Sequence, residues 1–90
     1  PFKIGSGLSY PMTSSMITIF PNPASERIVV ESINIPSSLT IFSLTGQEIK
    51  HLTKLKSHST ELDIKNYTPG IYILKVSMQG VDHYLRVEKK

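Results

Sequence analysis

The 90-residue chain contains no cysteine and no tryptophan, and the longest apolar stretches fall far short of a membrane span. Without cysteine there can be neither disulfides nor thiolate metal sites, and the compartment stays open. A bilayer-crossing helix needs about 18 consecutive apolar residues, and none is present. The opening stretch PFKIGSGLSYPMTSSM lacks the charged start and apolar centre of a secretory signal. It begins with Pro1 in place of an initiating methionine, which reads as a piece of a longer precursor. Helical periodicity is missing as well, because apolar residues recur at intervals of two, glycine and proline are closely spaced over much of the chain, and β-branched residues dominate.

What is present is ordinary for one small globular domain: 39% hydrophobic residues, 19% charged, and a net charge of +3. The lysines and arginines are scattered, with no concentrated basic face or aromatic platform of the kind nucleic acids require. Nucleic acid is therefore not an expected partner. Residues 1–15, rich in Gly, Ser, Thr and Pro, read as a flexible linker. The domain proper is expected over residues 16–90.

Within it, seven short extended runs are separated by turn signals. ITIF stops at Pro21-Asn22-Pro23, since proline offers no N–H to a ladder and holds its predecessor extended. ERIVVESI closes at NIPSS. LTIFSL should place Leu39 and Ile41 on one face and Thr40 and Phe42 on the other. Thr45-Gly46 then turns the chain into the polar, edge-like QEIKHLTK. STELDI alternates Thr60, Leu62 and Ile64. Gly70 opens IYILKVSM, with Tyr72, Leu74, Val76 and Met78 on one side. Gln79-Gly80 turns into VDHYLRVEKK, whose Val81, His83, Leu85 and Val87 share a face. The pattern predicts an all-β, immunoglobulin-like β-sandwich of about seven mostly antiparallel strands. A small barrel is the competing arrangement.

Chemistry finds little support. His51, His58 and His83 match no metal-ligand spacing, so no metal or other cofactor is expected. Ser57, His58 and Asp63 are the residue types of a hydrolytic triad, yet adjacent strand residues face opposite ways. Glu26, Glu31, Glu48 and Glu61 read as solvated edges, and none of the glycines precedes a helix that could cradle phosphate. Asn66-Tyr67-Thr68 fits a glycosylation triplet formally, with Pro69 against its use. No enzyme is expected.

Four marks in order do carry a resemblance: IFPNPASERIVVE, LTIFSLTGQEI, YTPGIYILKV, and a terminal YLRVEKK. Over Ile17 to Lys90 the chain resembles the C-terminal sorting domain of the type IX secretion system, type A, found in Bacteroidota. Arg86 stands where lysine is commoner, and Tyr67 where leucine is. The resemblance implies a seven-strand sandwich that closes an exported cargo and directs it across the outer membrane. It implies transit through the periplasm, then the cell surface or release. The partners it implies are an outer-membrane translocon, a sortase that removes the domain, and the covalently linked N-terminal cargo. On this reading recognition falls on the last strand: Tyr84, Leu85, Arg86, Val87, Glu88, Lys89 and Lys90. That strand is expected at a sheet edge with unpaired backbone to offer. Pro21, Asn22, Pro23, Gly46, Gly70, Tyr72 and Gly80 are shape-making residues. Cleavage is expected between Gly5 and Met16. Edge strands leave a homodimer in isolation open. The alternative is an adhesion or carbohydrate-binding module, against which the dispersed tyrosines argue. A plain spacer is the third choice.

Overall fold

In the computed structural model, residues 16–90 are described. The expected linker, and all of the expected cleavage window except Met16, lie outside the described residues. Seven strands follow one another: β1 Ile17–Phe20, β2 Arg27–Ser32, β3 Ser38–Ser43, β4 Glu48–Thr53, β5 Ser59–Asp63, β6 Gly70–Met78 and β7 Val81–Lys89. Each alternating run of the sequence has become a strand within a residue or two of its expected bounds.

The strands form two separate antiparallel sheets, in the orders β1-β2-β5 and β4-β3-β6-β7. This is an immunoglobulin-like sandwich and not a closed barrel. Ile17, Ile19, Ile28, Val30, Leu62 and Ile64 face inward from the smaller sheet or its margin. Leu39, Ile41, Tyr72, Leu74, Val76, Met78, Leu85 and Val87 face them from the larger one. Burying each aliphatic side chain stabilises the fold by roughly 1.5–3 kcal/mol. The period-two pattern therefore fixes register as well as strand identity, because a one-residue slip would turn this set outward.

Thr40 departs from simple alternation. It lies on the outer face of the larger sheet, opposite His51 and Lys75 in the register, yet is only 2% exposed. Its hydroxyl is 2.8 Å from His51 Nδ1, so the imidazole folds over it and satisfies it. At the β4 edge, Ile41 pairs with Lys50 and Phe42 with Glu48, which leaves Ile49 as a bulge. Bulged, charged edges resist pairing with other chains.

Gly46 and Gly80 have positive φ, as tight hairpins require, and Gly70, the first residue of β6, has one too. The β6–β7 hairpin shows why. Met78 pairs directly with Val81, so Gln79 and Gly80 alone make the turn, with φ of 50° and 78°. Two consecutive positive φ values match the right-handed strand twist, and asparagine followed by glycine suits them best. Gln79→Asn is expected to raise stability by about 0.5 kcal/mol and Gly80→Ala to lower it by about 1 kcal/mol or more. Nothing lies within 4 Å of an added Cβ at Gly80, so that loss would be purely conformational. Thermal melts of the two variants check both signs.

Candidate functional site

After β1 the chain meets Pro21 and Pro23, neither of which can donate to a ladder. Both peptide bonds into these prolines are cis. Asn22, held between them, presents a side-chain amide to the outer edge of β7. Its Nδ2 donates to the Arg86 carbonyl at 2.9 Å, and its Oδ1 accepts the Glu88 N–H at 2.9 Å. Ala24 continues the same row with its backbone. Its N–H donates to the Glu88 carbonyl at 2.9 Å, and its carbonyl accepts the Lys90 N–H at 2.8 Å. Ala24 and Lys89 form a parallel bridge, and Ala24 is buried. A carboxamide carries donor and acceptor on one plane, as a peptide group does, so asparagine can stand in for a strand residue.

The first and last family marks of the sequence are thus one structure. Four hydrogen bonds join segments more than sixty residues apart, and they bridge the two sheets at one end. Sequence reasoning placed Pro21, Asn22 and Pro23 as shape-making residues, but did not find the edge that Asn22 meets. Ala24 was missed altogether, and nothing local to it signals its partner.

The clasp sets what β7 can show. Leu85 and Val87 are core residues, and Lys89 is 8% exposed. The Lys89 ammonium donates to the Lys90 main-chain oxygen at 3.1 Å. Its inward direction follows from extending Val81, His83, Leu85 and Val87 by two. Tyr84, Arg86 and Lys90 are exposed, and Glu88 is half-buried. Arg86 and Glu88 approach only to 3.9 Å with both side chains well exposed, a geometry of little energetic worth. Of the seven residues expected to face a receptor, Leu85, Val87 and Lys89 therefore turn inward. The strand is an edge strand as expected. Its backbone is not open along the whole tail, however, since the clasp occupies the groups of Arg86 through Lys90.

Tyr72 sits at the start of β6 and donates its hydroxyl to the Thr68 carbonyl four residues upstream. This is the tyrosine corner of immunoglobulin-like sandwiches. Tyr67 packs against it with ring centroids 5.3 Å apart. The buried Tyr67 hydroxyl has no hydrogen-bond partner among the described residues. Burial, then the neighbouring Tyr72 and Asp63, push its ionisation above the ordinary phenol range.

The candidate chemical groups disperse. His51 is held by Thr40, and His58 Nδ1 lies 3.2 Å from the Ser32 carbonyl. Ser57 accepts the Ser59 N–H, and Asp63 accepts the Lys65 N–H. Glu61 pairs with Arg27 at 2.9 Å in a shallow depression of about 320 Å³ shared with Glu26, Asp63 and Lys65. Among the described residues, exposed Phe20 and Tyr84 lie on different sheets and make no aromatic platform.

Two measurements test this geometry. Asn22→Ala removes two bonds and leaves the Glu88 N–H without its partner, so it is expected to cost about 1–2 kcal/mol, or roughly 5–10 °C in Tm. Asn22→Asp keeps the acceptor but cannot donate, and is expected to do no better. At the tyrosine corner, Tyr72→Phe should cost about 1 kcal/mol, while Tyr67→Phe should be neutral or stabilising because it deletes an unsatisfied hydroxyl. Above about pH 10, unfolded Tyr67 loses a proton that the native state retains, so stability falls as pH rises. Tyr67→Phe should lessen that alkaline loss in melts run from pH 9 upward.

Comparison with known proteins agrees with this construction. No curated protein matches the chain. The family described as "Secretion system C-terminal sorting domain" matches residues 18–87, a span running from β1 to Val87 that takes in Asn22, Ala24 and Arg86 of the clasp. The chain belongs to that family, and is a type IX secretion C-terminal sorting signal.

Proposed function

We propose that the outward side chains of β7, namely Tyr84, Arg86 and Glu88, together with Lys90, are the address that the outer-membrane translocon reads. The observation that carries this reading is the clasp: it holds the tail as a fixed strand, so these side chains meet a partner already ordered. The cargo precedes the domain in the same chain, crosses the periplasm with it, and emerges at the cell surface or in the medium. The domain contributes recognition and no chemistry of its own. A surface sortase then severs it. Burial of Ile17 and Ile19 supports a cut upstream of β1, between Gly5 and Met16, because a protease cleft takes extended chain and not a paired core strand.

Deleting Val87 to Lys90 would be a poor test, since it removes a core residue and the partners of the clasp together. Substituting the outward residues separates reading from folding. With the full chain fused behind a reporter cargo in a Bacteroidota host, the triple variant Tyr84→Ala, Arg86→Ala, Glu88→Ala is expected to cut export about tenfold or more. Its Tm should stay near that of the unsubstituted domain. Arg86→Ala alone should weaken export more than His51→Ala. Undiminished export of the folded triple variant would sink the proposal. Sequencing the released domain from its N-terminus checks the cut, and a new terminus beyond Phe20 would contradict it.

A further inference from the structure

The four sheet edges of the sandwich are defended unequally. β1 is four residues long and stopped by Pro21. β4 carries Glu48, Lys50 and the bulge at Ile49. β5 is five residues long, with Glu61 and Asp63 exposed. Short length, proline, bulges and charges all discourage pairing. On β7 the clasp serves that purpose, but only from the Arg86 carbonyl onward.

Strand alternation locates what is left open. The groups of Arg86, Glu88 and Lys90 that meet the clasp point away from β6, so those of Asp82 and Tyr84, four and two residues before Arg86, point the same way. Their N–H and C=O groups, and the Arg86 N–H, have no edge partner among the described residues. This half of the strand holds no lysine, proline or bulge. Of its charges, Asp82 is engaged by the Ser77 hydroxyl at 2.6 Å and Arg86 stands at the boundary with the clasp. Val81 and Tyr84 are 55% and 63% exposed.

A depression of about 100 Å³ lies against this open half, lined by Met16, Asn34, Met78, Gln79, Val81 and His83. Met16 and Asn34 flank strands of the smaller sheet, and the others belong to the β6–β7 hairpin, so the depression opens between the layers. It has room for one branched aliphatic side chain. An added strand would present every second side chain toward it.

We propose that Val81–Arg86 is a strand-addition site, where an extended segment of the secretion machinery pairs with the open edge and inserts one aliphatic side chain between the sheets. Such recognition draws affinity from main-chain bonds and specificity from the pocket. It continues on β7 the row that Asn22 and Ala24 already occupy. The inference rests on the sorting-signal reading and assigns to it a backbone contact and a pocket.

The experiment uses the cargo fusion above. Tyr84→Ala removes a side chain only, whereas Tyr84→Pro also removes the outward N–H and leaves the ladder to β6 untouched. The proline variant is expected to export about tenfold less than the alanine variant, the effect of one lost backbone bond and a blocked edge. Should the proline variant fail to fold, Val81→Asp decides. Val81→Asp places a charge at the pocket mouth on an exposed position and is expected to reduce export about tenfold. Leu44→Asp, at an exposed apolar residue far along the chain on the β3–β4 hairpin, should export like the unsubstituted fusion. Equal export of the folded Pro and Ala variants, or of Val81→Asp and Leu44→Asp, overturns the site. So does a dimer of the isolated chain that Tyr84→Pro abolishes without affecting export, which would assign the edge to a second copy. If the unsubstituted fusion itself stays inside the cell, the sorting reading fails and not merely this site.

Discussion

The clasp between Asn22–Ala24 and the tail of β7 is the constraint on which the rest depends. A strand at the end of a sheet, paired on one side only, frays readily. Here the second side of the tail is supplied by a segment more than sixty residues away, joined through a carboxamide and one backbone residue. Those contacts tie the two layers together and leave Tyr84, Arg86 and Glu88 facing outward. They also decide which part of the edge is closed and which is open.

The cost of this design is that order in the tail depends on a long-range contact. Loop closure over such a separation is entropically demanding and must be offset by the core between. Fifteen buried hydrophobic residues, aliphatic apart from Tyr72, provide that core. Tyr72 fixes the start of β6, the strand to which β7 is paired, through its bond to Thr68. The turn at Gln79-Gly80 then sets the register of β7, with Leu85 and Val87 inward. Each device acts on the same result, which is a last strand of defined face and position. A sorting signal needs that result more than it needs a pocket.

Much of this was legible in the residues. Period-two alternation fixed the strands and most inward faces, and Gly46 and Gly80 marked the two tight turns. The same alternation, carried two residues further, would have turned Lys89 inward, a step the expectation of an outward basic tail concealed. The destination of Asn22 was not legible. Flanking prolines say that the segment leaves its ladder, but a hydrogen bond to residues 86 and 88 has no local signature. Thr40 is similar, because only the register across β3 and β4 brings His51 over it. The order of the four sequence marks nonetheless pointed to the family that the comparison then matched.

The central claim is that the loop holds the tail as firmly as the core holds its neighbours. Residue-resolved amide hydrogen exchange on the isolated chain measures this directly. The account predicts that the Glu88 and Lys90 N–H groups exchange only on near-global opening, while those of Asp82 and Tyr84 on the open half exchange quickly. Glu88 and Lys90 exchanging as fast as Tyr84 would mean that the clasp is not formed in solution, and would contradict the account.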